Sequence, residues 1–269
     1  MRRLRYCVPH TLTRRYTNGE SMNQDQLIEN YKNILSSINS SDFILGKDLY
    51  SGVFLSQPFS QYYISNKKVM VVGRETSGWN TKNGKNSFNR IIQANQSNTL
   101  DTVISESLER YSWHLLDRKG GDIKKSSSSW FQRFYLNLSK KLDLNPHALI
   151  YENLYSWDFN GKSPKNRKKS EFSHIQELSV QLLAASIQSA KPDVIIFAVG
   201  CNKKNDQTIK LLCNQHFGGY VNKEIVKGKY WEFETNDIKC IRIAHPRAQS
   251  NEHPYYREKA MDTVVTTFV

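Results

Sequence analysis

The chain has 269 residues, 38% of them hydrophobic and 12% aromatic, which is enough apolar surface for a sizeable core and excludes a disordered chain. Lysine and arginine outnumber aspartate and glutamate by 38 to 25, giving a formal net charge of +13 whose field attracts phosphate polymers, so nucleic acid is the leading partner. Cys7, Cys201, Cys213 and Cys240 form no CxxC pair, and no run of about 18 apolar residues occurs, which argues against a disulfide framework, a metal site, an iron–sulfur cluster and a membrane span.

Residues 1–20, with Arg2, Arg3, Arg5, Arg14 and Arg15, carry little periodic signal and read as a basic arm. No apolar segment follows these arginines, so a cytoplasmic protein with reduced thiols is expected rather than a secreted one. Between Met22 and Ile38, the residues Leu27, Tyr31, Ile34, Leu35 and Ile38 recur at helical spacing and predict an amphipathic helix over the core. Asp42 to Ser65 reads as irregular. Four apolar segments read as buried strands: Lys68 to Val72, Ala148 to Leu154, Val194 to Val199, and Cys240 to Ala244. Between them lie helical patterns toward the end of Asn98 to Leu116, at Trp130 to Leu142, and at Ser173 to Ser189 with Ile175, Leu178, Leu182 and Ala185 on one face. Asp117 to Ser129, rich in Gly, Lys and Ser, reads as a loop. With no repeat and no linker, residues 21–269 are expected to form one α/β domain and to act as a monomer. Strands alternating with helices predict parallel pairing, which puts a binding crevice at the carboxyl ends of the strands.

Chemistry-bearing residues stand at those ends. The first strand runs into Gly73-Arg74-Glu75-Thr76-Ser77-Gly78-Trp79, a small-residue turn that holds a carboxylate. The second ends in Glu152-Asn153, an amide able to read a base edge. The third ends in Gly200-Cys201-Asn202-Lys203-Lys204, read as a flexible basic loop, and the fourth in His245-Pro246-Arg247-Ala248-Gln249.

In this order, a Gly-x-acid loop, an Asn, a Gly turn and a His-Pro resemble the uracil-DNA glycosylase superfamily over roughly Lys68 to Ser250. The resemblance implies a three-layer α/β/α fold around a central four-stranded, mainly parallel sheet, with an N-terminal helical extension. It implies a monofunctional DNA glycosylase that flips a pyrimidine nucleotide and hydrolyses its N-glycosidic bond, with no cofactor. Glu75 would activate water and face the cationic sugar, and His245 would donate to base O2 as negative charge develops. Asn153 would read the Watson–Crick edge, with Gly73, Arg74, Ser77 and Trp79 around the base. Phe88, fifteen residues after Gly73, matches the offset of the family's base-stacking phenylalanine. The basic run Lys162, Ser163, Lys165, Arg167, Lys168 and Lys169, together with Gly200, Asn202, Lys203, Lys204, Arg247 and Gln249, is expected along the DNA, Gln249 or Arg247 filling the vacated stack.

The chain departs from the uracil-specific pattern where Thr76 and Ser77 replace the Pro and Tyr that wall off pyrimidine C5. An open C5 side and an amide free to rotate suggest a C5-modified pyrimidine, including glucosylated hydroxymethylcytosine of phage DNA, as substrate in a defence role. Uracil or mismatched-thymine repair, a non-catalytic DNA-binding protein and a small-molecule hydrolase remain alternatives. Taken singly, the residues have plainer readings: Glu75 as a helix cap, Asn153 as a turn former, His245 as a strand terminator and the basic run as a solvated loop.

Overall fold

The computed structural model describes residues 18–43, 48–79, 87–115, 122–124, 126–250 and 252–269, with side chains from residue 24 onward. The expected basic arm lies outside these residues except for its last three, which open helix α1 (Asn18–Ser36). Much of the expected loop at Asp117 to Ser129 also lies outside them.

The fold is α/β. Its strands are β1 (Val69–Gly73), β2 (Leu149–Asn153), β3 (Val194–Phe197), β4 (Val221–Val226), β5 (Tyr230–Thr235) and β6 (Ile238–Ile243), in the sheet order β2-β1-β3-β6-β5-β4. The four predicted strands are β2, β1, β3 and β6, all mutually parallel. The sheet is nonetheless six-stranded and mixed, because β4 and β5 add an antiparallel hairpin beyond β6. That hairpin escaped sequence reading because β4 is a solvent-facing edge strand in which only two of six positions are even half-buried, so no core-facing alternation marks it.

The β1 run Val69, Met70, Val71 and Val72 is apolar throughout because both faces are covered. Val69 and Val71 pack toward helices α5 (Trp130–Lys141) and α8 (His253–Thr267), while Met70 and Val72 pack toward α6 (Lys169–Ala190) and α7 (Lys203–His216). Helices therefore cover both faces of the sheet. α6 is also packed on its far side: Ile175, Leu178, Leu182 and Ala185 meet Leu27, Tyr31 and Leu35 of α1, and Val180, Leu183 and Ile187 meet the sheet. The stripe legible in the sequence is thus the one facing α1. The remaining helices are the short α2 (Ser60–Ile64) and α3 (Phe88–Gln96) and α4 (Leu100–Ser112), the last two packing against α1.

Among the buried acids, Glu152 stands within a strand of the sheet itself. Glu152 of β2 projects beneath the sheet toward α6, accepts from Ser56 Oγ and takes the Asn153 backbone N–H at 3.3 Å. Burial pushes its pKa up to about 7 from an ordinary 4.5, against the opposing pull of its hydrogen bonds to Ser186, Ser56 and Asn153. The folded state then holds a proton that the unfolded chain has released, so stability falls as pH rises through that interval. Glu152→Gln is expected to flatten the decline in thermal midpoint between about pH 4.5 and 7; an unchanged decline would place its source elsewhere.

Candidate active site

Parallel pairing of β1 with β2 continues past the strands, since Leu154 N–H bonds Gly73 O at 2.8 Å and Tyr155 N–H bonds Arg74 O at 2.9 Å. This registers Gly73 against Asn153 and brings the acid loop and the amide to one rim. Gly73 is obligatory there: a Cβ would lie 2.7 Å from Asn153 Oδ1 and 3.1 Å from the Phe131 ring. The β6 end joins them from two strands away, and a cavity of about 1000 Å³ opens among the three ends, on the α4–α5 side of the sheet.

Gly73, Arg74, Glu75, Ser77, Trp79, Asn153, His245 and Arg247 all line this cavity. Arg74 Nε donates to Glu75 Oε1 at 2.6 Å, while Glu75 Oε2 is buried without a hydrogen-bond partner among the described residues. Asn153 is 1% exposed; its Oδ1 accepts from Tyr151 OH at 3.1 Å and its Nδ2 is likewise buried and unpartnered. A buried donor and a buried acceptor left open on one cavity wall cost stability unless a ligand or bound water meets them. With Oδ1 engaged by Tyr151, the amide as placed presents Nδ2 as its donor to the cavity.

His245 Nδ1 accepts the Arg247 backbone N–H at 3.2 Å, so the proton of the neutral ring sits on Nε2. Burial, and then the positive field of Arg74, Arg247 and Arg257, pulls its pKa down to about 4 from 6.5. The imidazole is therefore a neutral Nε2–H donor near pH 7, in a field that favours negative charge in the cavity.

The plainer readings fare unevenly. Among the described residues Glu75 caps no helix, and the α3 N-terminus is met by Asp48 Oδ2, which accepts from Asn89 N–H at 2.8 Å. Asn153 makes no turn contact through Nδ2 among the described residues. His245 does sit in a turn, closed by Ala248 N–H onto its carbonyl at 2.8 Å.

Phe88 is misplaced by the sequence reading. It opens α3, is fully buried, stacks on Phe43 at 3.9 Å and on Trp157 at 4.8 Å, and does not line the cavity. Its apolar neighbours hold it in the core under α1, and Phe131 and Trp79 are among the aromatic residues that line the cavity instead. Lys203 and Lys204 are not in a flexible loop either. They open α7, with Asn202 as its cap accepting from Asn205 N–H, and Gly200 packs against His245. None of these four lines the cavity.

Within the basic run, Arg167 is committed internally: it pairs with Glu171 at 2.9 Å and lies 3.9 Å over the Phe159 ring. Ser163 is buried, whereas Lys162, Lys168 and Lys169 are exposed. Lys165 is half-buried; burial and then Arg74 and Lys204 lower its pKa while Glu75 opposes them, which puts it within the field of the cavity rim. Gln249 is held by its own loop, donating to Pro246 O at 3.0 Å and accepting from Arg257 at 3.3 Å, which leaves exposed Arg247 as the freer of the two candidate wedges.

Asp158 went unnoticed in the sequence. Fully buried, it takes Thr76 Oγ1 and Gly78 N–H at 2.7 Å each on Oδ2 and Gly161 N–H at 2.8 Å on Oδ1, so it braces the loop that carries Glu75. Only its place beyond Asn153 hinted at this. Tyr151 was more accessible, since the two-residue period of a strand puts it on the face of Asn153. Among the described residues no cluster of three or more His, Cys, Asp or Glu is arranged to hold a metal, and no helix is long and apolar enough to cross a membrane.

Asp158→Asn should lower stability by about 1–3 kcal/mol, because an amide cannot accept from donors on both sides; a thermal midpoint equal to wild type would remove the brace. In an NMR titration, His245 is expected to protonate near pH 4. Its lowered value means the unfolded chain takes up the extra proton first, so stability falls as pH falls from 6.5 toward 4; a midpoint near 6.5 would contradict the described burial. No protein-family model and no curated protein matches the chain.

Proposed function

We propose that the protein is a DNA glycosylase that extrudes a pyrimidine nucleotide, accepts a substituent at pyrimidine C5, and hydrolyses the N-glycosidic bond to leave an abasic site. The observation that carries this reading is the cavity wall itself: an open carboxylate oxygen on Glu75, an open amide donor on Asn153 and a neutral Nε2–H tautomer of His245, on three parallel strand ends.

Breaking the bond from C1′ to N1 sends its electron pair to the base and leaves an oxocarbenium-like sugar. Glu75 Oε2 takes a proton from the water that bonds to C1′, and its negative charge faces the cationic sugar. His245 donates to O2 of the departing anionic base, and the surrounding arginines favour that charge. The leaving base collects its proton from solvent. Asn153 Nδ2 meets O4 of a uracil-type base or N3 of a cytosine-type base. Exposed Ser77, followed by exposed Gly78, stands at the place in the chain where the uracil-specific members of the resembling superfamily carry a blocking ring, which supports a substituted base over plain uracil. Phosphates would follow the rim carrying Arg247, Lys165 and Lys204.

Purified protein incubated with duplexes bearing uracil, mismatched thymine, 5-hydroxymethylcytosine or its glucosylated form is expected to produce abasic sites in a substituted duplex. Glu75→Gln and His245→Ala should each slow the reaction by about 10²–10⁴-fold. Cleavage of uracil alone would overturn the substituted substrate, and full activity of both variants would overturn the mechanism. Charge reversal at Lys165 and Lys204 should weaken DNA binding and reduce the slope of log affinity against log salt by about 1 per lost phosphate contact; an unchanged slope would move the DNA path away from this rim.

A further inference from the structure

Half of the cavity is unused by the reaction just described. The strand ends form one half; the other is walled by the C-terminal end of α4 and the residues after it, and by the first turn of α5. At about 1000 Å³ the whole lies at the top of the roughly 300–1,000 Å³ range of small-molecule sites, far more than one pyrimidine ring requires. Ser77 and Trp79 open onto this second half, and the Arg110 guanidinium lies 5.1 Å over the Trp79 ring. Trp113 and Trp130, 42% and 41% exposed, stand on its wall, while Phe131 leans on Tyr151 at 4.8 Å.

His114 has an unmet valence here. It is 7% exposed, and its Nδ1 lies 2.5 Å from the Tyr111 carbonyl. A carbonyl can only accept, so the ring proton is on Nδ1 and Nε2 carries a bare lone pair. That Nε2 is buried and without a partner among the described residues. The backbone that carries the ring is pinned, since Lys124 Nζ and Gln132 Nε2 both donate to the His114 carbonyl at 2.9 Å, and the ring itself is held by its Nδ1 contact. Burial, and then His147, Lys124 and Arg110, keep the ring neutral.

A lone pair fixed in this way calls for a donor. An anion would find no proton at Nε2, and an ammonium group would be repelled by Arg110 and Lys124, so the acceptor suits a neutral donor, of which a hydroxyl is one. Aromatic faces beside hydroxyl-binding polar atoms suit a body with an apolar C–H face and a polar edge. We propose that this half of the cavity is a subsite for a hydroxyl-bearing, hexose-sized substituent on pyrimidine C5, and that His114 Nε2 is its specificity-determining acceptor. The proposal rests on the glycosylase reading for its substrate frame.

Single-turnover excision is compared on two duplexes that differ only in carrying 5-hydroxymethylcytosine or its glucosylated form. His114→Phe should lower the ratio of glucosylated to bare excision by about tenfold, the scale of one neutral hydrogen bond, and His114→Gln, which restores an acceptor, should recover most of it. An unchanged ratio, or equal loss on both duplexes in both variants, overturns the proposal. If wild type excises neither base, the glycosylase reading fails, and ¹⁵N imidazole NMR of wild type decides the subsite separately. A His114 Nε2 shift with the glucosylated hydroxymethyl nucleoside, absent with unsubstituted deoxycytidine, sustains it. No shift, or the same shift from both nucleosides or from an unsubstituted single strand stacking in the lobe, overturns it.

Discussion

The contact on which the candidate site depends is the approach of Gly73 to Asn153 across the β1–β2 pair. Two backbone hydrogen bonds beyond the strands extend the parallel ladder into the loops, and no side chain fits at residue 73 without displacing the amide. The acid loop and the amide are therefore placed by backbone pairing, which is stiffer than a side-chain contact. Asp158 then braces the loop from below, and Tyr151 hydrogen-bonds the amide from the side.

Electrostatics follow from this geometry. Arg74 satisfies one oxygen of Glu75 and leaves the other open, and with Arg247 and Arg257 it also depresses the basicity of His245. A neutral donor, an open carboxylate and a surrounding positive field suit a reaction in which a cation and an anion separate inside one pocket. The same cations that would draw DNA to the rim would hold the imidazole uncharged.

Much of the layout was legible in the sequence, for specific reasons. Strands buried on both faces leave unbroken apolar runs, and the residues after them were readable as strand ends, so Glu75, Asn153 and His245 could be placed together before any coordinates. The hairpin β4–β5 was not legible, because its outer strand is exposed and mixed in character. Phe88 failed because an offset along the chain says nothing about which core an aromatic ring enters; Phe43 and Trp157, distant in sequence, hold it under α1. Asp158 and His114 failed for a related reason: their roles are set by backbone donors and a carbonyl that approach only in the folded chain. Lys203 and Lys204 looked like a loop because two lysines are a poor start for a helix, an obstacle that the Asn202 cap and Asp206 offset.

The central claim is that the bond cut joins a base to deoxyribose. Mass spectrometry of the small products released from a duplex carrying a glucosylated hydroxymethylpyrimidine tests it most directly. The account predicts an intact modified base set free and an abasic site of matching amount in the strand. Release of glucose alone, leaving the pyrimidine attached, or of a nucleotide with its phosphate, would contradict it.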